Sequence, residues 1–303
     1  MLGSGRLQIG GRRLAPYYLT VAPTLRGQQR PHQQVRLCKV CRGQVSISRC
    51  QLSFKRLIPA KGQRSGTSDC TAANQRQPDT RHVLSREQAI QVYDRAGATI
   101  KDSSSVYGGP ATKALLQAAD LKSANFVFEF GSGSGGLADL LLSTVLHAEC
   151  QYHAVDQSSV QVELTQQRLN KHGKRAHVRQ INGDLTQAAE NVPDGAADVF
   201  LSTYVLDILS DQDIDAVLCL AHRLVCPGGH LCLVGLTYGN TPVSKLASGI
   251  WGLTHALRPQ IVGGCRPQNL VPYLSSDWII TTAQTVPGGV MRSQLIIALK
   301  RDD

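Results

Sequence analysis

Asn125-Phe126-Val127-Phe128-Glu129-Phe130-Gly131-Ser132-Gly133-Ser134-Gly135-Gly136 decides the fold of this 303-residue chain. Its first half is apolar and rich in β-formers, which reads as a strand. Glycines follow, and then Leu137-Ala138-Asp139-Leu140-Leu141-Leu142 opens an apolar-rich helical run. Strand, glycine turn and helix let a nucleotide-like ligand lie against bare backbone. Without Cβ atoms the turn can take φ > 0 and approach that ligand closely.

Two ligands fit the glycines. Gly131-x-Gly133-x-x-Gly136 has dinucleotide spacing, while Gly131-x-Gly133-x-Gly135 preceded by Glu129 has the spacing used for S-adenosylmethionine. A dinucleotide sets a pyrophosphate dianion against the helix N-terminus, and a carboxylate two residues before the first glycine would repel it. S-adenosylmethionine has no phosphate; it carries an ammonium and a sulfonium, which a carboxylate attracts. A plain βα turn with a solvent-facing Glu is the third reading. Asp156 ends the next β-like stretch, Tyr152 to Asp156, at the spacing where a second strand offers a carboxylate to ribose hydroxyls. That serves both nucleotides equally. A strand from Val178 closes in Asn182-Gly183-Asp184, which would make a turn in any case.

From there β and α alternate. Strands are expected at 126–130, 151–156, 177–182, 197–203 and 230–236, with helices near 136–147, 159–171 and 211–224. Ser85 and Gln88 form a capping box for a short helix ending at Gly97, with Ala89, Ile90, Tyr93 and Ala96 on one face. Val106 to Pro110 reads as a turn before a second helix through Leu116, and Tyr107 is a candidate for either the donor pocket or turn packing. Ser210 and Asp213 cap the helix whose apolar stripe is Ile214, Val217, Leu218, Ala221 and Leu224. Pro227-Gly228-Gly229 is a tight turn. Residues 278–286 and 293–300 are strand-like, and the link between them is too short for a crossover helix, so they pair antiparallel. The expected class is α/β: a Rossmann-like, doubly wound seven-stranded sheet closing in a C-terminal antiparallel hairpin. A dinucleotide domain would continue with another parallel unit, a second argument against NAD(P).

These pieces in order resemble class I S-adenosylmethionine-dependent methyltransferases, in the small-molecule (methyltransferase type 11) branch that includes quinone methyltransferases. The resemblance runs from about Val106 to the C-terminus. It rests on Glu129-Phe130-Gly131-Ser132-Gly133-Ser134-Gly135, Ala154-Val155-Asp156, Asn182-Gly183-Asp184, Asp198 to Leu206 and His222 to Val234. It implies that Glu129, Gly131, Ser132, Gly133 and Gly135 hold the methionyl part. Asp156, with Gln157, would take the ribose, and Asp184 with Leu185 would sit by the adenine. Ser202 to Val205, Thr203 among them, would border the methyl group and the acceptor. The capped helix at 86–96 would lie over the cofactor side of the sheet. Residues 236–266 form an insert with a helix at 241–257 carrying Leu246, Ile250, Trp251 and Leu257, then a short helix near 268–274. The insert reads either as an apolar lid over a lipophilic acceptor or as edge packing.

Methyl transfer from a sulfonium needs alignment more than a base, so no fixed triad is expected. Candidate bases are Asp207, His222, His230 and His255, with Tyr204 and Tyr238 as polar aromatic walls; Tyr204 is the favoured acceptor-side contact. No Asn/Asp-Pro-Pro-Tyr run is present, and Cys226-Pro227 has the wrong order for a cytosine-methylating nucleophile. A small-molecule or lipid acceptor is expected, not nucleic acid. The alternatives are an NAD(P)-binding oxidoreductase and a protein of the same fold that binds without turnover.

Charge divides the chain. Residues before Asp69 include 13 Lys and Arg and no acid, whereas the remainder carries 19 basic and 22 acidic residues. Residues 1–80 are expected to be a disordered transit peptide and linker, and 81–303 the methyltransferase domain, imported into a plastid or mitochondrion. A basic arm for nucleic acid is the competing reading. No apolar run is long enough for a membrane span. Cys38-x-x-Cys41 lacks a partner pair, so no metal is expected, and the cysteines from Cys150 onward are expected reduced.

Overall fold

The computed structural model describes residues 83–97 and 100–302. The expected transit peptide and the Cys38/Cys41 pair lie outside them. Phe126–Phe130 is strand β1. Its side chains alternate between two cores, so the run is apolar on both sides, as a central parallel strand requires. Phe128 and Phe130 join Phe200 and helix residues Ile214 and Leu218 on one face. Val127 joins Leu141, Tyr152 and Leu201 on the other. Asp198 pins the start of β1: its Oδ2 accepts from the backbone N–H of Asn125 at 2.6 Å and of Phe126 at 3.0 Å.

The other strands are β2 (Gln151–Asp156), β3 (Ala176–Gln180), β4 (Ala197–Thr203), β5 (Val225–Thr237), β6 (Trp278–Gly288) and β7 (Met291–Lys300). They form one seven-stranded sheet in the order β3-β2-β1-β4-β5-β7-β6. β1 to β5 are parallel, and β7 runs antiparallel to both β5 and β6. The order reverses between β1 and β4, which opens a crevice at the strands' C-terminal ends. Helices are α1 (Arg86–Ala96), α2 (Ile100–Ala118), α3 (Gly136–Thr144), α4 (Ser159–Leu169), α5 (Asp211–Leu224) and α6 (Pro242–Leu257).

Several local expectations change. The turn foreseen at Val106 to Pro110 lies inside α2. Gly109 explains this: a residue before proline avoids the helical region through its Cβ, and glycine has none. Pro227-Gly228-Gly229 does not precede β5 but interrupts it, as a register shift between the pairs Ala197–Val225 and Val199–His230. The short helix near 268–274 is reduced to a 3₁₀ turn at Val271–Tyr273. Cys150, Cys226, Cys232 and Cys265 are free thiols, but half-buried Cys219 is disulfide-bonded, contrary to expectation. Among the described residues no helix is long and apolar enough to cross a membrane, and no cluster of metal-ligating side chains is present.

Candidate functional site

The glycine loop is held by its own amides. Gly131 N–H and Ser132 N–H both donate to Val155 O, at 2.8 and 3.1 Å, and Gly135 N–H donates to Ser132 O at 3.0 Å. Gly133 N–H donates to Asp156 Oδ2 at 2.8 Å, and Thr165 Oγ1 donates to Gly133 O at 2.6 Å. Ser158 N–H donates to the other Asp156 oxygen at 3.0 Å. These four loop amides are therefore spent on protein acceptors.

The glycines divide by role. A Cβ on Gly131 would meet Val205 Cγ2 at 2.2 Å, and one on Gly135 would meet Thr165 at 2.9 Å, so both serve close packing. A Cβ on Gly133, at φ +52°, would meet nothing within 4 Å. Gly133 also borders a cavity of about 1040 Å³ above the strand ends. That is the upper end of the roughly 300–1,000 Å³ of small-ligand pockets.

The structure brings Glu129, Gly131, Ser132, Gly133, Asp156, Gln157 and Thr203 together on this cavity. Glu129 is buried, and its Oε2 accepts from Tyr152 Oη at 2.9 Å. Burial raises its pKa to about 8, against the pull of that hydrogen bond. Glu129 is therefore largely neutral when unpaired, and its charge argument against phosphate weakens; the antiparallel pairing of β6 and β7 remains as the argument against a dinucleotide domain. Burial also raises Asp156 to about 6, opposed by its backbone hydrogen bonds. Ser132 Oγ is buried without a protein partner, a free hydroxyl at the cavity edge.

Asp184 and Leu185 do not border the cavity. Leu185 turns into the core with Ile181, Ala188 and Val192, and Asp184 is exposed. Sequence reasoning also missed two cations, Lys113 on α2 and Arg168 at the end of α4, which both border the cavity. Arg168 Nη1 donates to Ser134 Oγ at 3.4 Å. Their signal was available only in three dimensions, because neither lies near the glycines in sequence.

α1 borders the cavity through Ala89, Ile90 and Tyr93. Its capping box is present: Ser85 Oγ accepts from Gln88 N–H and Gln88 Oε1 from Ser85 N–H. Arg86 bonds to Asp213 and donates to Gly183 O at 3.0 Å. Ser158 Oγ donates to Asp94, and Gln161 Nε2 reaches Tyr93 O and Gly97 O. Tyr107's side chain lies outside the described residues.

Val205, Ile208, Leu236, Trp251 and Ile261 make an apolar stretch of the cavity wall. Tyr204 stands there with φ 56°, the sole non-glycine positive φ among the described residues. Such strain costs roughly 1–3 kcal/mol and collects at functional sites. Its hydroxyl is paired with Ser293 Oγ at 2.8 Å, and burial raises its pKa to about 12, so it is a wall and not a base. Of the four candidate bases, only Asp207 borders the cavity; His222, His230 and His255 do not. Asp207 is buried, its Oδ2 accepts from Leu236 N–H at 3.2 Å, and its Oδ1 has no partner. Burial raises its pKa to about 6, opposed by its hydrogen bonds and by Arg266.

Residues 127–229 match the family model described as a methyltransferase domain. By sequence, no curated protein is significantly similar to this chain. Solved structures share the fold at low identity. An O-methyltransferase family protein from Burkholderia thailandensis is 17% identical with TM-score 0.51, over 72% of this chain and 61% of that one. The [4+2]-cyclase SpnF is 16% identical with TM-score 0.53, over 74% of this chain and 100% of its own. A chain of the Haloferax volcanii Trm112 methyltransferase activator complex is 13% identical with TM-score 0.54, over 71% and 98%. The match to the Burkholderia protein thus spans about three fifths of that protein's length.

Proposed function

We propose, on the premise that residues 127–229 are a class I methyltransferase domain, that the protein transfers a methyl group from S-adenosylmethionine to a small acceptor bearing a hydroxyl or amine. When bound, S-adenosylmethionine supplies an electrophilic methyl on a good leaving group. The residues present fit it: an open cradle at Gly133, an orphan hydroxyl at Ser132, and carboxylates at Glu129 and Asp156. Glu129 faces the ammonium and gives up its proton on pairing with it. Lys113 and Arg168 balance the methionyl carboxylate. Asp156 keeps lone pairs for the ribose while holding the loop through Gly133. The adenine edge falls to Gln157 and Ile181, since Asp184 and Leu185 stand off the wall.

One observation carries the acceptor's chemistry: Asp207 is a buried carboxylate on the cavity wall with an unpartnered oxygen. Leaving such a group unpaired costs about 1–3 kcal/mol or more. A donor on the acceptor would relieve it, and with a pKa near 6 the carboxylate is mostly ionised at neutral pH and able to take that proton. The apolar wall favours a lipophilic or aromatic body. Asp207→Asn should lower labelled-methyl transfer to a panel of phenols, quinols and amines by about 10²-fold, with S-adenosylhomocysteine affinity unchanged. Full activity in that variant would remove Asp207 from the chemistry.

The rival is binding without transfer, since the fold is shared with a [4+2]-cyclase. Adenosyl binding with no methylated product across the panel would favour it. The acid-free composition before Asp69 supports import into a plastid or mitochondrion, which a fluorescent fusion of residues 1–80 would test.

A further inference from the structure

We infer that α6 docks the protein on an anionic lipid surface. The helix is inverted. Ser244, Ser248 and His255 are its buried side chains. Val243, Leu246, Ile250, Leu253 and Leu257 are 58 to 73% exposed. Their spacing alternates three and four residues, so they form one continuous stripe. Tyr238 precedes the stripe and Ile261 extends it, both exposed. Scattered exposed leucines are ordinary, but a contiguous stripe marks an interaction surface.

Charge selects the occupant. Between Asp215 and Asp277 the chain has no Asp or Glu. The exposed cations Lys245 and Arg258 flank the stripe, one near each end. A second copy paired parallel would set Lys245 against Lys245; paired antiparallel, it would set Lys245 against Arg258. Neither has a carboxylate in this segment to compensate, and like charges across an interface oppose it. An anionic headgroup layer satisfies both cations while acyl chains take the stripe. At 16 residues α6 is shorter than the roughly 20 needed to span a bilayer, and its polar side is already packed, so it lies in the interface plane. Trp251 and Ile261 also border the cavity, so docking sets that part of the cavity wall towards the membrane. The inference does not depend on the reaction catalysed.

The basic leader would itself attract anionic vesicles, so the readout must sit on α6. The chain has two tryptophans, Trp251 and Trp278. Full-length Trp278→Phe therefore reports from Trp251 alone. With vesicles of brominated phosphatidylglycerol, Trp251 emission should be quenched, and much less with brominated phosphatidylcholine. Adding Leu246→Ser, Leu253→Ser and Leu257→Ser, all at exposed positions, should abolish quenching although the leader is intact. Should Trp278→Phe fail to fold, the same quenching is read on the otherwise native chain with and without the three serines, with buried Trp278 contributing equally to both: the serine variant should be quenched less. No quenching, equal quenching in the serine variant, or lipid-free dimerisation that the three serines abolish would each overturn the inference, the last in favour of a second copy.

Discussion

Gly133 is where the loop meets its ligand. Its neighbours Gly131 and Gly135 are glycine because Val205 and Thr165 leave no room, whereas Gly133 faces open cavity at a positive φ. Gly133→Ala should therefore fold, at a cost of about 1–2 kcal/mol for a left-handed alanine, yet lose more than about tenfold in adenosyl affinity, roughly 1.4 kcal/mol. Thermal denaturation and calorimetric titration with S-adenosylhomocysteine read the two effects separately. Wild-type affinity would place the ligand elsewhere. At this scale much of the site was legible in sequence, because the strand–glycine–helix grammar and the Asp156 spacing are local. Lys113 and Arg168 were not legible, since only the crossing of α2 and α4 over the loop brings them to the cavity. Nor could sequence rank Asp207 above three histidines; burial and an orphan oxygen do that.

Elements with strong end signals fell where the pattern set them: α1 from its capping box and α5 from Ser210. Gly97 likewise ends α1 as read, whereas Pro110 and the Pro227–Gly229 stretch did not break the chain where expected. The orientation of α6 was the harder failure. Its stripe was visible, but which side meets the domain depends on tertiary packing of Ser244, Ser248 and His255. α1 carries the element-scale prediction. Ser85→Ala should cost about 1 kcal/mol, spent mostly on local opening, because α1 is tied to the domain by side-chain bonds. Hydrogen exchange should quicken across 86–96 while β1 and β4 stay protected. Uniform loss of protection would mean that α1 is part of the global folding unit.

The whole molecule encloses three carboxylates whose burial favours the protonated form, Glu129 at about 8 and Asp156 and Asp207 at about 6. A carboxylate raised above its unfolded value binds a proton in the native state that the unfolded chain has released, so stability falls as pH rises through that window. Below about pH 6.5 the effect is opposed by His153, which burial holds down to about 4, and by His230, also lowered. Between pH 6.5 and 8 Glu129 dominates. The ligand-free protein should lose stability there, at up to about 1.4 kcal/mol per pH unit, and Glu129→Gln should flatten the slope. Denaturant titrations at pH 6.5 and 8 decide it; an unchanged slope in the variant would show that Glu129 is already ionised.

The central claim is that the cavity over β1 and β2 is an adenosylmethionine site. Isothermal titration of the protein with S-adenosylmethionine, S-adenosylhomocysteine, NADH and NADPH tests it most directly. The account predicts micromolar binding of the two adenosyl ligands and none of the nicotinamide cofactors. Binding of NADH or NADPH alone would contradict it and make the protein a dinucleotide binder.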